Sequence, residues 1–210
     1  VGVDSAEKAV LAAFGDKLAT LCLDAEERTG QTQQVVDRLY GLAFSDRAAV
    51  SCWRPIEDAA RHARDRLRDR LNPLTIERLE FVEAVAARHE GHPIQARIPS
   101  QELIDWLSAR SKAVLVEHIA HIVQQAADQG SPPVDQAEAL GLGLVPPSND
   151  RASSHLKLVG ALGRLFEVTG RARQGLEYER EAVEGWLDLQ DSEQVGRPLS
   201  KWLWLAGTLG

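Results

Sequence analysis

A chain of 210 residues, 44% hydrophobic and 26% charged, has the composition of a globular protein able to bury one sizeable core or two small ones. No apolar run approaches the ~18 residues a membrane crossing needs, so no segment is a candidate transmembrane helix. The net charge of -7 argues against general attraction to nucleic acid, and the opening Val-Gly-Val-Asp-Ser has no basic region or cleavage site, so no signal peptide is expected.

Cys22 and Cys52 are too few and too scattered for a disulfide framework or a zinc cluster, and a reducing, cytoplasmic setting is the expectation. The sequence contains no Met, even at its first position. A processed chain or a piece of a longer, bacterial-type multidomain protein is expected.

Helical periodicity runs along most of the chain. Asp4 is a candidate N-cap with Glu7 three residues on, and Leu11, Phe14, Leu18 and Leu21 share one face. Gly30 breaks that run, and Val35, Leu39 and Leu42 mark a second helix. Pro55 belongs in a first turn, ahead of a stripe of Ile56, Ala60, Ala63, Leu67 and Leu71. Asn72-Pro73 is an N-cap followed by a proline at the first helical position, and Leu79, Val82 and Val85 or Ala86 face inward. Gly91 and Pro93 should stop this helix. Ser100 caps a helix with Leu103, Ile104, Trp106 and Leu107. After a break within Ser108 to Lys112, Leu115, Ile119, Ile122 and Ala126 carry the next stripe.

Residues 130–150 hold Pro132, Pro133, Gly141, Gly143, Pro146 and Pro147, with a short helical stretch at Val134 to Leu140. This composition shift predicts a linker between a helical region at 1–129 and a second region at 151–210. Val, Ile and Thr never gather in an alternating run, so no strand is expected and the fold class is all-α.

The last third carries the most specific pattern. Val159, Leu162, Gly163, Phe166, Gly170, Leu176, Tyr178 and Ala182 are spaced as two helices around a tight glycine turn. Small residues at Gly163 and Ala182 would let the helices approach, with Phe166 filling the gap beside them. This spacing resembles a tetratricopeptide repeat. Leu203, Ala206 and Gly207 echo Val159, Leu162 and Gly163 at a period of 44, longer than the ~34 of the standard repeat. Gly175 stands where Ala is usual, at an expected cost of ~1 kcal/mol to that helix, and Gly210 replaces the expected aromatic residue. The resemblance implies a helical-hairpin solenoid at 151–210, preceded by a helical domain or degenerate repeats. It also implies a concave surface lined by Lys157, Gly160, Arg164, Glu167 and Val168. Gly160 and Ala161 lack the side chains that a clamp for a peptide carboxylate requires. A generic helical bundle is the alternative architecture.

Other clusters offer competing chemistry. His118 and His121 lie at i, i+3, and imidazole is a common zinc ligand, but the order is not that of the His-Glu-x-x-His motif. His89 and His92 flank Gly91, where histidines also suit a helix carboxyl end. Convergence of His89, His92, His118 and His121 on a metal would make the chain a metal-dependent enzyme. Arg54, Arg61, Arg64, Arg66, Arg68 and Arg70 form the densest basic stretch, interleaved with Asp58, Asp65 and Asp69. It reads as an ion-paired helix face, or else as a nucleic-acid-binding helix without aromatic residues for base stacking. Phosphate-loop, nucleophile-elbow and dinucleotide motifs are absent.

The leading expectation is therefore a non-catalytic, regulatory or scaffolding interaction module, without cofactor or bound metal, that binds a protein or peptide. Lys157, Arg164, Glu167, Trp202 and Trp204 are its candidate binding residues. Trp186, Trp202 and Trp204 read as core or inter-repeat packing, or alternatively as partner anchors. The carboxyl-terminal helix with Trp202 and Trp204 is expected to contact more of the same polypeptide or a second chain, with homo-oligomerisation one form of this.

Overall fold

The computed structural model describes Asp37, Tyr40 and residues 53–69, 71–92, 95–145 and 152–209. The expected caps, stripes and cysteines before Trp53, and Pro93, Pro146 and Pro147, lie outside these residues. Among the described residues every regular element is an α-helix, and the chain forms two compact units divided between Ile94 and Gln95. The division therefore falls ahead of the expected 130–150 linker.

In the first unit, α1 (Trp53–Leu67) packs on α2 (Pro73–His89). Ile56, Ala59, Ala60 and Ala63 of α1 and Leu79, Phe81, Val82, Val85 and Ala86 of α2 are buried, Phe81 with its ring beside that of Tyr40. Alanines on α1 allow close approach; of the predicted stripe Ile56, Ala60 and Ala63 are buried, Leu71 is half-buried beyond the helix end, and the Leu67 side chain lies outside the described residues. Asn72 caps α2 by accepting the Thr75 N–H at 2.8 Å. The helix ends in a Schellman turn at Gly91, with φ +75. There the His92 N–H reaches the Ala87 carbonyl at 2.9 Å, and the Gly91 N–H reaches that of Arg88 at 3.1 Å.

The second unit runs α3 (Gln101–Ser108), α4 (Lys112–Gln129), α5 (Val134–Leu144), α6 (Ser153–Val168), α7 (Ala172–Asp188) and α8 (Ser192–Leu209). Ser100 and Ser111 cap α3 and α4, so the predicted break between them is real. Helix α5 extends past Gly141 and Gly143, beyond the expected stretch. Gly141 is a packing residue. A Cβ there would meet Val123 of α4 and Leu162 of α6, each at 3.0 Å.

Helix α6 is the hub of this unit and packs on α4, α5 and α7. Leu156, Leu158, Val159, Leu162, Leu165 and Phe166 are all buried. It runs antiparallel to α7, because Gly163 faces Gly175 near one end and Leu156 faces Gly185 near the other. Gly175 has a packing role that accompanies its expected propensity cost. A Cβ at 175 would lie 2.9 Å from the Gly163 carbonyl oxygen, so only glycine permits the crossing. Both expected small residues lie in this packing, Gly163 against Glu179 and Gly175 and Ala182 over Gly160, and Phe166 meets Tyr178 with ring centroids 5.1 Å apart.

The turns after α6 and α7 are alike. Each closes with the same pair of Schellman hydrogen bonds, at Gly170 (φ +79) and at Gln190 (φ +55). Asp191 then caps α8 through the Gln194 N–H at 3.2 Å. Helix α8 returns along α7, placing Val195 in a core with Leu156, Val159, Ala182 and Trp186, against which Tyr178 and Leu199 also pack.

Candidate functional site

One face of the second unit is built by α4, α6 and α8, with α5 and α7 connecting them. Lys157 Nζ of α6 reaches Glu117 of α4 at 2.8 Å, and Arg164 Nε reaches Asp128 at 3.4 Å. Both pairs join like ends of the two helices, so α4 and α6 run parallel. Lys201 of α8 donates to both Glu167 oxygens, at 3.0 and 2.8 Å, and Arg164 donates to Glu167 at 2.8 Å. Asp128, Arg164, Glu167 and Lys201 thus form one ionic chain across three helices.

The electrostatics follow from this chain. Burial opposes ionisation of Glu167, but hydrogen bonds from Lys201 and Arg164 outweigh it and hold the carboxyl below its ordinary range. The Glu167 hydrogen bond raises Arg164 above its usual value. On the neighbouring flank, Arg171 hydrogen-bonds Glu138 of α5 at 2.6 Å and lies 4.5 Å from the Phe166 ring centroid. That hydrogen bond lowers Glu138 and raises Arg171.

The predicted groove residues are therefore brought together, but as ties between helices. Lys157, Arg164 and Glu167 are engaged with α4 and α8. Gly160 corrects the expected lining, because it is half-buried and turned to Ala182 of α7. Val168 is exposed. The ion-pair partners Glu117, Asp128 and Lys201 were not singled out from sequence, since they lie 34 to 40 residues from their mates.

The two remaining binding candidates differ. Trp202 is half-buried, whereas Trp204 is 57% exposed, as is Leu203 beside it. Lys201 Nζ stands 5.7 Å from the Trp204 ring centroid. Leu205 is the large residue of this stretch that enters the core, at 1% exposure. The expected echo of the first motif is displaced in the packing. Helix α8 starts 39 residues after α6, at Ser192 against Ser153, so a period of 44 sets Leu203 and Gly207 later along their helix than Val159 and Gly163. Val159 and Gly163 are covered by α7, whereas Gly207 faces open space.

The competing clusters have structural partners. His89 stacks on Trp53 with centroids 4.0 Å apart, and His92 Nδ1 lies 2.9 Å from the buried Glu57 carboxylate. His118 is buried on α4 and His121 half-buried. Among the described residues no group of three or more His, Cys, Asp or Glu side chains is placed to hold a metal ion. Arg61 pairs with Glu57, Asp58 and Glu83, and Arg64 with Asp65 and Glu83, so carboxylates offset the basic face at these positions. The hydrogen bond to Glu83, with Glu57 adding to it, raises Arg61 above its usual value against the lowering effect of burial. Arg54 and Arg68 are exposed, and the Arg66 side chain and Arg70 lie outside the described residues. No described helix is long and apolar enough to cross a membrane. Comparison of the chain with family models, curated proteins and solved structures gives no match.

Proposed function

We propose that the chain is a non-catalytic interaction module, built on a tetratricopeptide-like array of helix pairs, that binds a protein or peptide. The observation that carries this reading is the arrangement of α4, α6 and α8. Helices α4 and α6 pack side by side and parallel with α5 against both, and α8 returns along α7 and is tied to α6 by Lys201 on Glu167, an order compatible with a helical-hairpin solenoid. The short glycine turn, the Gly163 crossing and the Phe166 packing agree with the same architecture.

The partner surface in this reading is the outer face of α8. Its sequence repeats the small and apolar spacing of the α6 face that α7 covers, yet no described helix covers it. Leu203 and Trp204 supply apolar area there, and a large aromatic side chain contributes more to binding than exposed ion pairs do. The charged face of α4, α6 and α8 plays the lesser part, because Lys157, Arg164 and Glu167 already hold the helices to one another.

The reading is tested by quantitative co-precipitation with tagged chain in cells of its own source. A specific partner should be retained by Lys157→Ala and lost on combining Leu203→Ala with Trp204→Ala. Loss with Lys157→Ala and retention by the double variant would move the site to the ionic face.

A further inference from the structure

Helix α8 carries three weakening features within five residues, 196–200. Gly196 has open space where a side chain would be, so its backbone freedom is not offset by any helix contact. Pro198 lies inside the helix, lacks the N–H that would bond the Gln194 carbonyl, and crowds that carbonyl with its ring. The Ser200 hydroxyl donates to the Gly196 carbonyl oxygen at 2.9 Å, a back-bond that competes with the backbone ladder. Proline and neighbouring Gly and Ser are the recognised causes of helix bending.

Beyond this point the helix is held lightly. Leu205 is buried and Leu199 packs against the core, but Leu203 and Trp204 point outward and Gly207 meets nothing. Among the described residues its polar attachment to α6 is Lys201, whose ammonium reaches both oxygens of Glu167. That carboxylate is braced from its own side by Arg164, which in turn reaches Asp128. The receiving group therefore stays in position when Lys201 leaves.

We infer that residues 199–209 form an arm that hinges at Gly196, Pro198 and Ser200 and is clasped to α6 by Lys201 on Glu167. Opening the arm uncovers Leu205 and the covered side of Trp202 without separating α6 from α7, whose crossing at Gly163 and Gly175 lies elsewhere. This inference stands apart from the function proposed above, since it concerns only how α8 is attached.

Hydrogen exchange on the whole chain, read by mass spectrometry, tests it. Amides of 199–209 should exchange at least about tenfold faster than those of 158–167, as a sub-globally opening segment does. Glu167→Gln should speed the arm by about a further tenfold while α6 and α7 keep their rates. Pro198→Ala, which restores the missing donor, should slow the arm. Exchange of 199–209 together with α6 and α7 as one unit would overturn the inference. So would equal acceleration of all three helices by Glu167→Gln, or a rate rising smoothly toward 209 and indifferent to Pro198→Ala, which is simple fraying.

Discussion

A Cβ on Gly175 would stand 2.9 Å from the carbonyl oxygen of Gly163, closer than a carbon and a backbone oxygen on a neighbouring helix can approach. The α6–α7 crossing thus depends on two glycines from different helices. Gly175→Ala should cost a net ~0–2 kcal/mol, because overpacking at ~1–3 kcal/mol offsets the ~1 kcal/mol gain in helix propensity. Gly207→Ala, with nothing near its Cβ, should instead be neutral or stabilising by up to ~1 kcal/mol. Urea-unfolding midpoints compare the two; equal effects would refute the crossing.

Gln190 occupies the left-handed position that Gly91 and Gly170 fill in the other two Schellman turns. A side chain there carries a steric penalty that glycine lacks. Gln190→Gly should therefore stabilise by roughly 0.5–1 kcal/mol, the loss of backbone entropy partly cancelling the relief. A fall in melting temperature would show that the Gln190 side chain makes a contact worth more than the strain.

Glu138 is held below its usual 4.5 by Arg171, and Glu167 is lowered by Lys201 and Arg164 against burial. A carboxyl lowered in the folded state binds fewer protons there than in the unfolded chain. Its contribution is complete above the ordinary carboxylate range and is lost as pH falls through the lowered folded value. Glu138→Gln should flatten this acid limb. At neutral pH it should cost no more than about 1 kcal/mol, because the pair is partly exposed. An unchanged acid limb in that variant would show that Glu138 is not among the groups responsible.

Trp202 and Trp204 should respond differently to Ala. Trp204→Ala should leave stability within about 0.5 kcal/mol. Trp202→Ala should cost about 1–3 kcal/mol, short of the ~3–5 of a fully buried aromatic. Leu205→Ala, at a buried position, should cost about 2–5 kcal/mol. Denaturant titration of the three variants gives this order, and a larger effect from Trp204 than from Leu205 would reverse the described orientation of α8.

Local regularities were legible in the sequence. Ile56, Ala60, Ala63, Leu79, Val82, Leu115, Ile119 and Ile122 are buried as their helical spacing predicts, since one stripe faces one core. Asn72, Ser100 and Gly91 mark helix ends because caps depend on nearby residues. Long-range relations were not legible. Gly175 looked like a weak residue because the atom that requires it belongs to α6. Gly141 looked like part of a linker because its contacts, Val123 and Leu162, come from two other helices. Lys157, Arg164 and Glu167 were found as a polar line, but nothing in their spacing told that Glu117, Asp128 and Lys201 would meet them.

The central claim, that the outer face of α8 meets another protein, is tested most directly by photo-crosslinking. A photoreactive phenylalanine analogue is placed singly at Leu203 or Trp204, and at exposed Glu102 of α3 as control, in cells of the chain's own source. The account predicts discrete protein adducts from positions 203 and 204 and none of that mass from position 102. Adducts no stronger at 203 and 204 than at 102 would contradict it.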